Sequence, residues 1–137
     1  MREIKFRVWD AEASRMIYSD KPEDEYNFGF ERGALKAWFT EFEMQSDGHA
    51  EPISEELEPL MQYTGLKDKN GKECFFDDYC TAKFRTRDRI EELCGRLIED
   101  EFMICLQTNE GDFYSLNRLC DIEVIGNIYE HPELVKP

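Results

Sequence analysis

Hydrophobic and polar positions alternate from the start of the chain: Ile4, Phe6 and Val8 fall on one face of an extended segment, Lys5, Arg7 and Trp9 on the other. A polar DAEAS turn and the run Met16, Ile17, Tyr18 follow, so residues 1–20 are predicted to form an N-terminal β-hairpin. The period then changes. Leu35, Trp38, Phe39 and Phe42 stand at i, i+3, i+4 and i+7, between Gly33 and the polar stretch Gln45 to Gly48. That spacing predicts one short helix near residues 34–44, inside a variable insert of residues 21–58 whose other segments are acidic loops. A stripe of large aromatics at that spacing is either core or a docking face, which makes Trp38 and Phe39 the candidate partner-binding residues.

Residues 59–137 carry short β-type runs separated by turn residues. Pro59 to Leu66 reads as extended, Asn70-Gly71 suits a type I′ hairpin turn, and Cys74 to Phe76 resumes β character. Asp77-Asp78 turns into Tyr79 to Phe84. Later Phe102 to Thr108 alternates, Asn109 to Asp112 turns, Phe113 to Leu116 returns, and Ile122 to Ile128 forms a last strand. Strands this closely spaced predict a small barrel or sandwich. Residues 88–99 fit two periods: Ile90, Leu93, Cys94, Leu97 and Ile98 have helical spacing, yet Gly95 interrupts them and strands flank them.

Two long stretches, LMQYTGLKDKNGKE at Leu60 to Glu73 and IEVIGNIYEHPEL at Ile122 to Leu134, together with the opening MREIKFRVWD, closely resemble the YopX family of phage and prophage proteins. The resemblance covers about the first ten residues and most of the last eighty, and leaves residues 20–58 unaccounted for. It implies a small phage-type protein without an established biochemical activity, so it transfers no functional residue. In similar sequences an acid-Gly-Asp loop opens a strand of an SH3-like barrel; here Asp77-Asp78 stands there without the glycine. The resemblance also favours Gly95 to Glu99 as a strand that hairpins through Asp100-Glu101, over a helix at Arg87 to Leu93. The expected fold is mainly β, a single domain with an N-terminal β-hairpin, a C-terminal SH3-like small barrel in residues 59–137 and one short helix in the central insert.

Composition narrows the function classes. The chain has 137 residues, 41% of them apolar with ten Phe, six Tyr and two Trp, enough for the core of one domain. Its longest apolar runs, such as Phe102 to Leu106, fall far short of the roughly 18 residues of a membrane span, and the first ten residues lack an apolar export stretch. A cytoplasmic protein is expected. Cys74, Cys80, Cys94, Cys105 and Cys120 contain no C-x-x-C pair, so they read as small buried hydrophobes in a reducing compartment, and no metal or redox role is expected. His49 and His131 lie far apart in polar surroundings, with no cysteine to pair with.

The net charge of −14, from 31 acids and 17 bases, is spread along the chain and repels nucleic-acid phosphates and anionic membranes. The local exception is KFRTRDR, with Lys83, Arg85, Arg87 and Arg89, which reads as a solvated turn. Adjacent acids such as Asp77-Asp78 and Glu91-Glu92 are expected by chance in so acidic a chain and give no acid/base pair. Asp68, Asn70 and Glu73 outline a calcium loop without its twelfth-position Glu, since Tyr79 stands there; the turn reading is preferred. No phosphate-binding, zinc-protease or nucleophile-elbow motif occurs. These readings lead to a protein that is not an enzyme and takes no cofactor: an interaction module for a phage or host protein, with self-association expected from open strand edges and from Trp38 and Phe39. The alternatives are an acidic decoy that imitates nucleic acid, and an enzyme whose chemistry the motifs do not reveal.

Overall fold

The computed structural model describes residues 3–135; Met1, Arg2, Lys136 and Pro137, at the ends of the first and last predicted segments, lie outside them. Strands dominate, and the only helical elements among the described residues are the 3-10 turns Leu116–Arg118 and Pro132–Val135. No helix among them is long and apolar enough to cross a membrane. Two compact units divide the chain, one from Lys5 to Met61 and one that joins the described residues before Lys5 to those from Gln62 onward.

In the first unit the predicted hairpin forms: β1 (Phe6–Asp10) pairs with β2 (Arg15–Tyr18), with Trp9 opposite Met16. Asp10 caps the turn, its Oδ1 accepting the Glu12 and Ala13 amides. The predicted helix at 34–44 does not form. Those residues are β4 (Ala34–Met44), the middle of a three-stranded antiparallel sheet between β3 (Tyr26–Glu31) and β5 (Ala50–Leu57). The physical reason lies in the turn before it. Arg32 and Gly33 both adopt positive φ (53° and 81°), the pattern of a two-residue primed hairpin turn, and fold the chain straight back onto β3. Four aromatic and aliphatic positions at helical spacing also fit a strand whose two faces are both partly covered, and Trp, Phe and Thr favour strands. The core here is Val8, Ile17, Tyr26 and Ala37, with Phe28, Phe39, Leu57 and Leu60 packed against it.

The second unit contains β6 (Leu60–Lys67) from Gln62 on, paired with β7 (Glu73–Phe75), and a five-stranded antiparallel sheet. Its strands are β8 (Asp78–Arg85), β9 (Ile90–Asp100), β10 (Met103–Thr108), β11 (Phe113–Ser115) and β12 (Leu119–Asn127). The first four form a meander, the 3-10 turn Leu116–Arg118 follows, and β12 returns beside β8, giving the order β11-β10-β9-β8-β12. This is the connectivity of an SH3-like barrel, left open as a curled half-barrel. Residues 90–100 are one long strand, so the strand reading of Gly95 to Glu99 holds and extends back through the segment whose helical period competed with it. Gly95 shows why glycine stands there: a Cβ on it would lie 2.2 Å from the Gln107 carbonyl oxygen on β10. The core is Cys74, Cys80, Ala82, Leu97, Leu106, Leu116 and Val124.

The turns depart from expectation in one respect. At Asn70-Gly71 only Gly71 has positive φ (81°), so the turn is not type I′. Asp68 is the cause: its Oδ1 accepts the Asn70 and Lys72 amides, each at 2.9 Å, and the Gly71 amide closes on the Asp68 carbonyl at 3.0 Å. The side chain replaces one left-handed residue by a local Asx turn. At the missing glycine of the SH3-like strand opening, Asp77 itself adopts φ 74° and donates its amide to the Leu97 carbonyl, while buried Asp78 accepts the Phe75 amide at 2.7 Å.

Candidate functional site

β4 and β5 outrun β3. Pairing with β3 ends at Tyr26 opposite Phe39, whereas β4 continues opposite β5 from Thr40 with Ser54 to Met44 with Ala50. The result is a two-stranded arm closed by the Gln45–Gly48 turn, where the Gly48 amide meets the Gln45 carbonyl at 3.0 Å. Alternation assigns its faces. Trp38, Thr40, Phe42 and Met44 share one, opposite Glu56, Ser54, Pro52 and Ala50. Phe42 and Met44 are each 71% exposed there. The other face bears Glu41, Glu43, Glu51 and Glu55 around Ile53.

Trp38 and Phe39, predicted together, therefore point to opposite sides. Phe39 stacks on Tyr26 with ring centroids 5.2 Å apart on the core side, and Trp38 lies over Gly29 on the arm's apolar side. Both are half-buried. The exposed residues that continue the Trp38 face, Phe42 and Met44, were obscured by the helical reading; a strict i, i+2 count from Trp38 would have found them. From Ala37 to Leu66 the chain carries seven acids and neither Lys nor Arg, so the arm is the most one-sidedly charged part of the sequence.

Elsewhere several ionisable groups are bound up in structure. An open groove of about 440 Å³ in the half-barrel is lined by Thr81, Lys83, Cys94, Asp121, Lys69 and Glu123 among others. Four of its five charges form two ion pairs, Lys69 with Glu123 at 3.3 Å and Lys83 with Asp121 at 3.5 Å, and Glu92 is the fifth charged residue of its lining. Burial raises the Asp68 carboxyl, but the amides of Val124, Lys72 and Asn70 outweigh it and hold the group below its usual range. Asp10 is lowered in the same way, with the Tyr26 hydroxyl as its strongest opposing donor. Tyr26 is pushed up to about 12 by burial and by that bond to Asp10.

The thiols diverge from a uniform buried reading. Cys74, Cys80 and Cys105 are buried and Cys120 is partly so, but Cys94 is exposed. Burial pushes Cys74 up to about 12 and raises Cys80, Cys94 and Cys105 as well, which keeps these thiols protonated and poorly nucleophilic. Arg85, Arg87 and Arg89 stand exposed around the β8–β9 turn, where Arg89 pairs with Glu91 at 2.5 Å.

Solved structures with the same fold include the following two. The crystal structure of protein EF1440 from Enterococcus faecalis aligns with a TM-score of 0.53 at 20% identity, over 99% of this chain and all of that one. Protein yopX from Bacillus subtilis aligns with a TM-score of 0.55 at 18% identity, over the same shares. No curated protein matches the chain. The family model described as YopX protein matches residues 5–136, and so runs through the segment 20–58 that the sequence resemblance left out. The chain belongs to the YopX family.

Proposed function

We propose that this protein is a non-enzymatic interaction module, an accessory factor of phage or prophage type, whose contact surface for a phage or host protein is the apolar face of the β4–β5 arm. The observation that carries the reading is the stripe Trp38, Phe42, Met44 with Pro52 across from it, held on a strand pair that extends beyond its sheet. Large apolar side chains held in water at 71% exposure are costly to a monomer, and aromatic and Met side chains are the usual anchors of protein interfaces. The test is quantitative capture from producing cells with the wild type and with Phe42→Ser/Met44→Ser. Loss of a stoichiometric partner in the variant supports the proposal, and equal capture by both refutes it.

The acidic-decoy reading draws on the arm's other face. Four carboxylates over four residue rises of about 3.4 Å give roughly one charge per 3.4 Å, against one per 1.7 Å in duplex DNA. That density is about half of what is imitated, so the decoy stands second. A partner whose binding collapses with added salt would promote it.

A further inference from the structure

We propose that copies of this chain associate head to tail, the acidic face of the β4–β5 arm of one copy docking on the basic β8–β9 turn of the next. Two complementary surfaces carry this. On the arm, Ile53 is 42% exposed and lies directly opposite Glu41, with Glu43, Glu51 and Glu55 on the same face. On the β8–β9 turn, Ile90 is 54% exposed and lies directly opposite Arg85, next to Arg87 and Arg89. Each is an exposed isoleucine beside charges mainly of one sign, and the prevailing signs are opposite: Asp88 is the one acid within the basic run and Glu91 pairs with Arg89, while on the arm Glu51 pairs with His49. The arm belongs to a thirty-residue stretch without Lys or Arg, while Lys83 to Arg89 is the densest run of bases in the chain, four to one acid. Among the described residues neither the Arg85 nor the Arg87 side chain has a hydrogen bond or ion pair within its own chain, so both guanidinium groups are open to a second copy. An apolar centre inside a polar rim is the anatomy of a specific interface.

The net charge of −14 sets the conditions. Near 0.01 M salt the screening length is about 30 Å, and whole molecules repel; near 0.15 M it is about 8 Å, and only facing groups count; near 1 M it is about 3 Å, and the rim pairs are screened too. Association is therefore strongest at intermediate salt. Because the two surfaces differ, the contact is heterologous and continues past the dimer, closing as a ring or extending as a chain. The apolar face with Phe42 takes no part, so this assembly and the partner binding proposed above fail independently.

Sedimentation velocity from about 1 µM to about 1 mM protein, a range that spans weak to moderate affinity, tests it at the three salt concentrations. The wild type should gain mass with concentration, most at about 0.15 M. Arg85→Glu/Arg87→Glu and Glu41→Lys/Glu43→Lys, with unchanged circular dichroism, should each remain monomeric, and their equimolar mixture should associate again because each arm then meets a turn of opposite charge. Ile53→Ser should weaken assembly at least tenfold. Phe42→Ser should leave it intact. A wild type that stays monomeric throughout, association that keeps growing to about 1 M salt, or folded variants whose mixture fails to assemble would each overturn the proposal.

Discussion

Replacing Gly95 with Ala adds a single methyl group where β9 pairs with β10, Gly95 opposite Thr108. Its carbon would lie 2.2 Å from the Gln107 carbonyl oxygen, 2.7 Å from that carbonyl carbon and 3.0 Å from the Thr108 Cα. Non-bonded atoms reach their optimum near 3.5 Å, so the overlap exceeds about 1 Å, and all three obstacles are backbone. No rotamer change relieves it. β9 is bonded to β8 on its other edge, with Gly95 opposite Cys80, so the strand has no free side to retreat to. Overpacking of this kind costs about 1–3 kcal/mol, and a backbone collision in a doubly paired strand belongs at the upper end. A loss of about 3 kcal/mol is a large part of the roughly 5–15 kcal/mol that holds a domain together. It corresponds to about 9 °C in Tm for a chain of this size. In urea the midpoint should fall by about 1.5 M for an m value near 2 kcal/mol/M. A Gly95→Ala protein within about 0.5 kcal/mol of the wild type would show that β9 and β10 are not in this register.

Four further outcomes follow from the same structure. Gly71→Val meets no atom within 4 Å but must adopt φ 81°, so it should cost about 1 kcal/mol or more by strain alone, read as a lower urea midpoint. Asp68→Asn should cost about 2 kcal/mol near neutral pH. The Asp68 carboxyl is held below its ordinary value, so its stabilisation is complete above about pH 4 and drains as pH falls through the folded value; a urea series from about pH 7 to about pH 3 should show the variant losing less with acid than the wild type. Tyr26 works in the opposite sense: its pKa is raised to about 12, so the neutral phenol stabilises the fold below about pH 10 and that contribution is lost as pH climbs toward 12, a loss Tyr26→Phe should lack in alkaline unfolding curves. A thiol-exchange reagent at about pH 8 should modify exposed Cys94 first and reach Cys74, Cys80 and Cys105 only on unfolding, as mass spectrometry of the labelled protein would show.

How much of this was legible depended on whether a local pattern had one physical meaning or two. The β1–β2 hairpin and the meander of the half-barrel were readable because period-2 alternation and short polar turns admit little else. At Leu35, Trp38, Phe39 and Phe42 the same four residues satisfy a helix face and a strand whose two faces are each partly covered, and what decides is the Arg32-Gly33 turn, which looked like a helix boundary and is a hairpin. That misreading hid the arm, because Phe42 and Met44 become a surface only once β4 is extended and longer than its neighbour. In residues 88–99 the ambiguity resolved the other way: Gly95, a weak point in a helix, is required by a close strand crossing. Asp68 was readable as a turn residue, but not its second oxygen, which accepts the Val124 amide 56 residues away at 2.9 Å, a contact only the tertiary fold creates.

The account turns on the arm's apolar face as the place where another protein is held. Its most direct test replaces Phe42 by a photoreactive phenylalanine analogue in producing cells, with Glu110, exposed on the β10–β11 turn, replaced in the same way as the comparison. Irradiation should give a discrete cross-linked product from position 42 and none from position 110. No product at position 42, or equal products from both positions, would contradict the claim that this face is where the protein does its work.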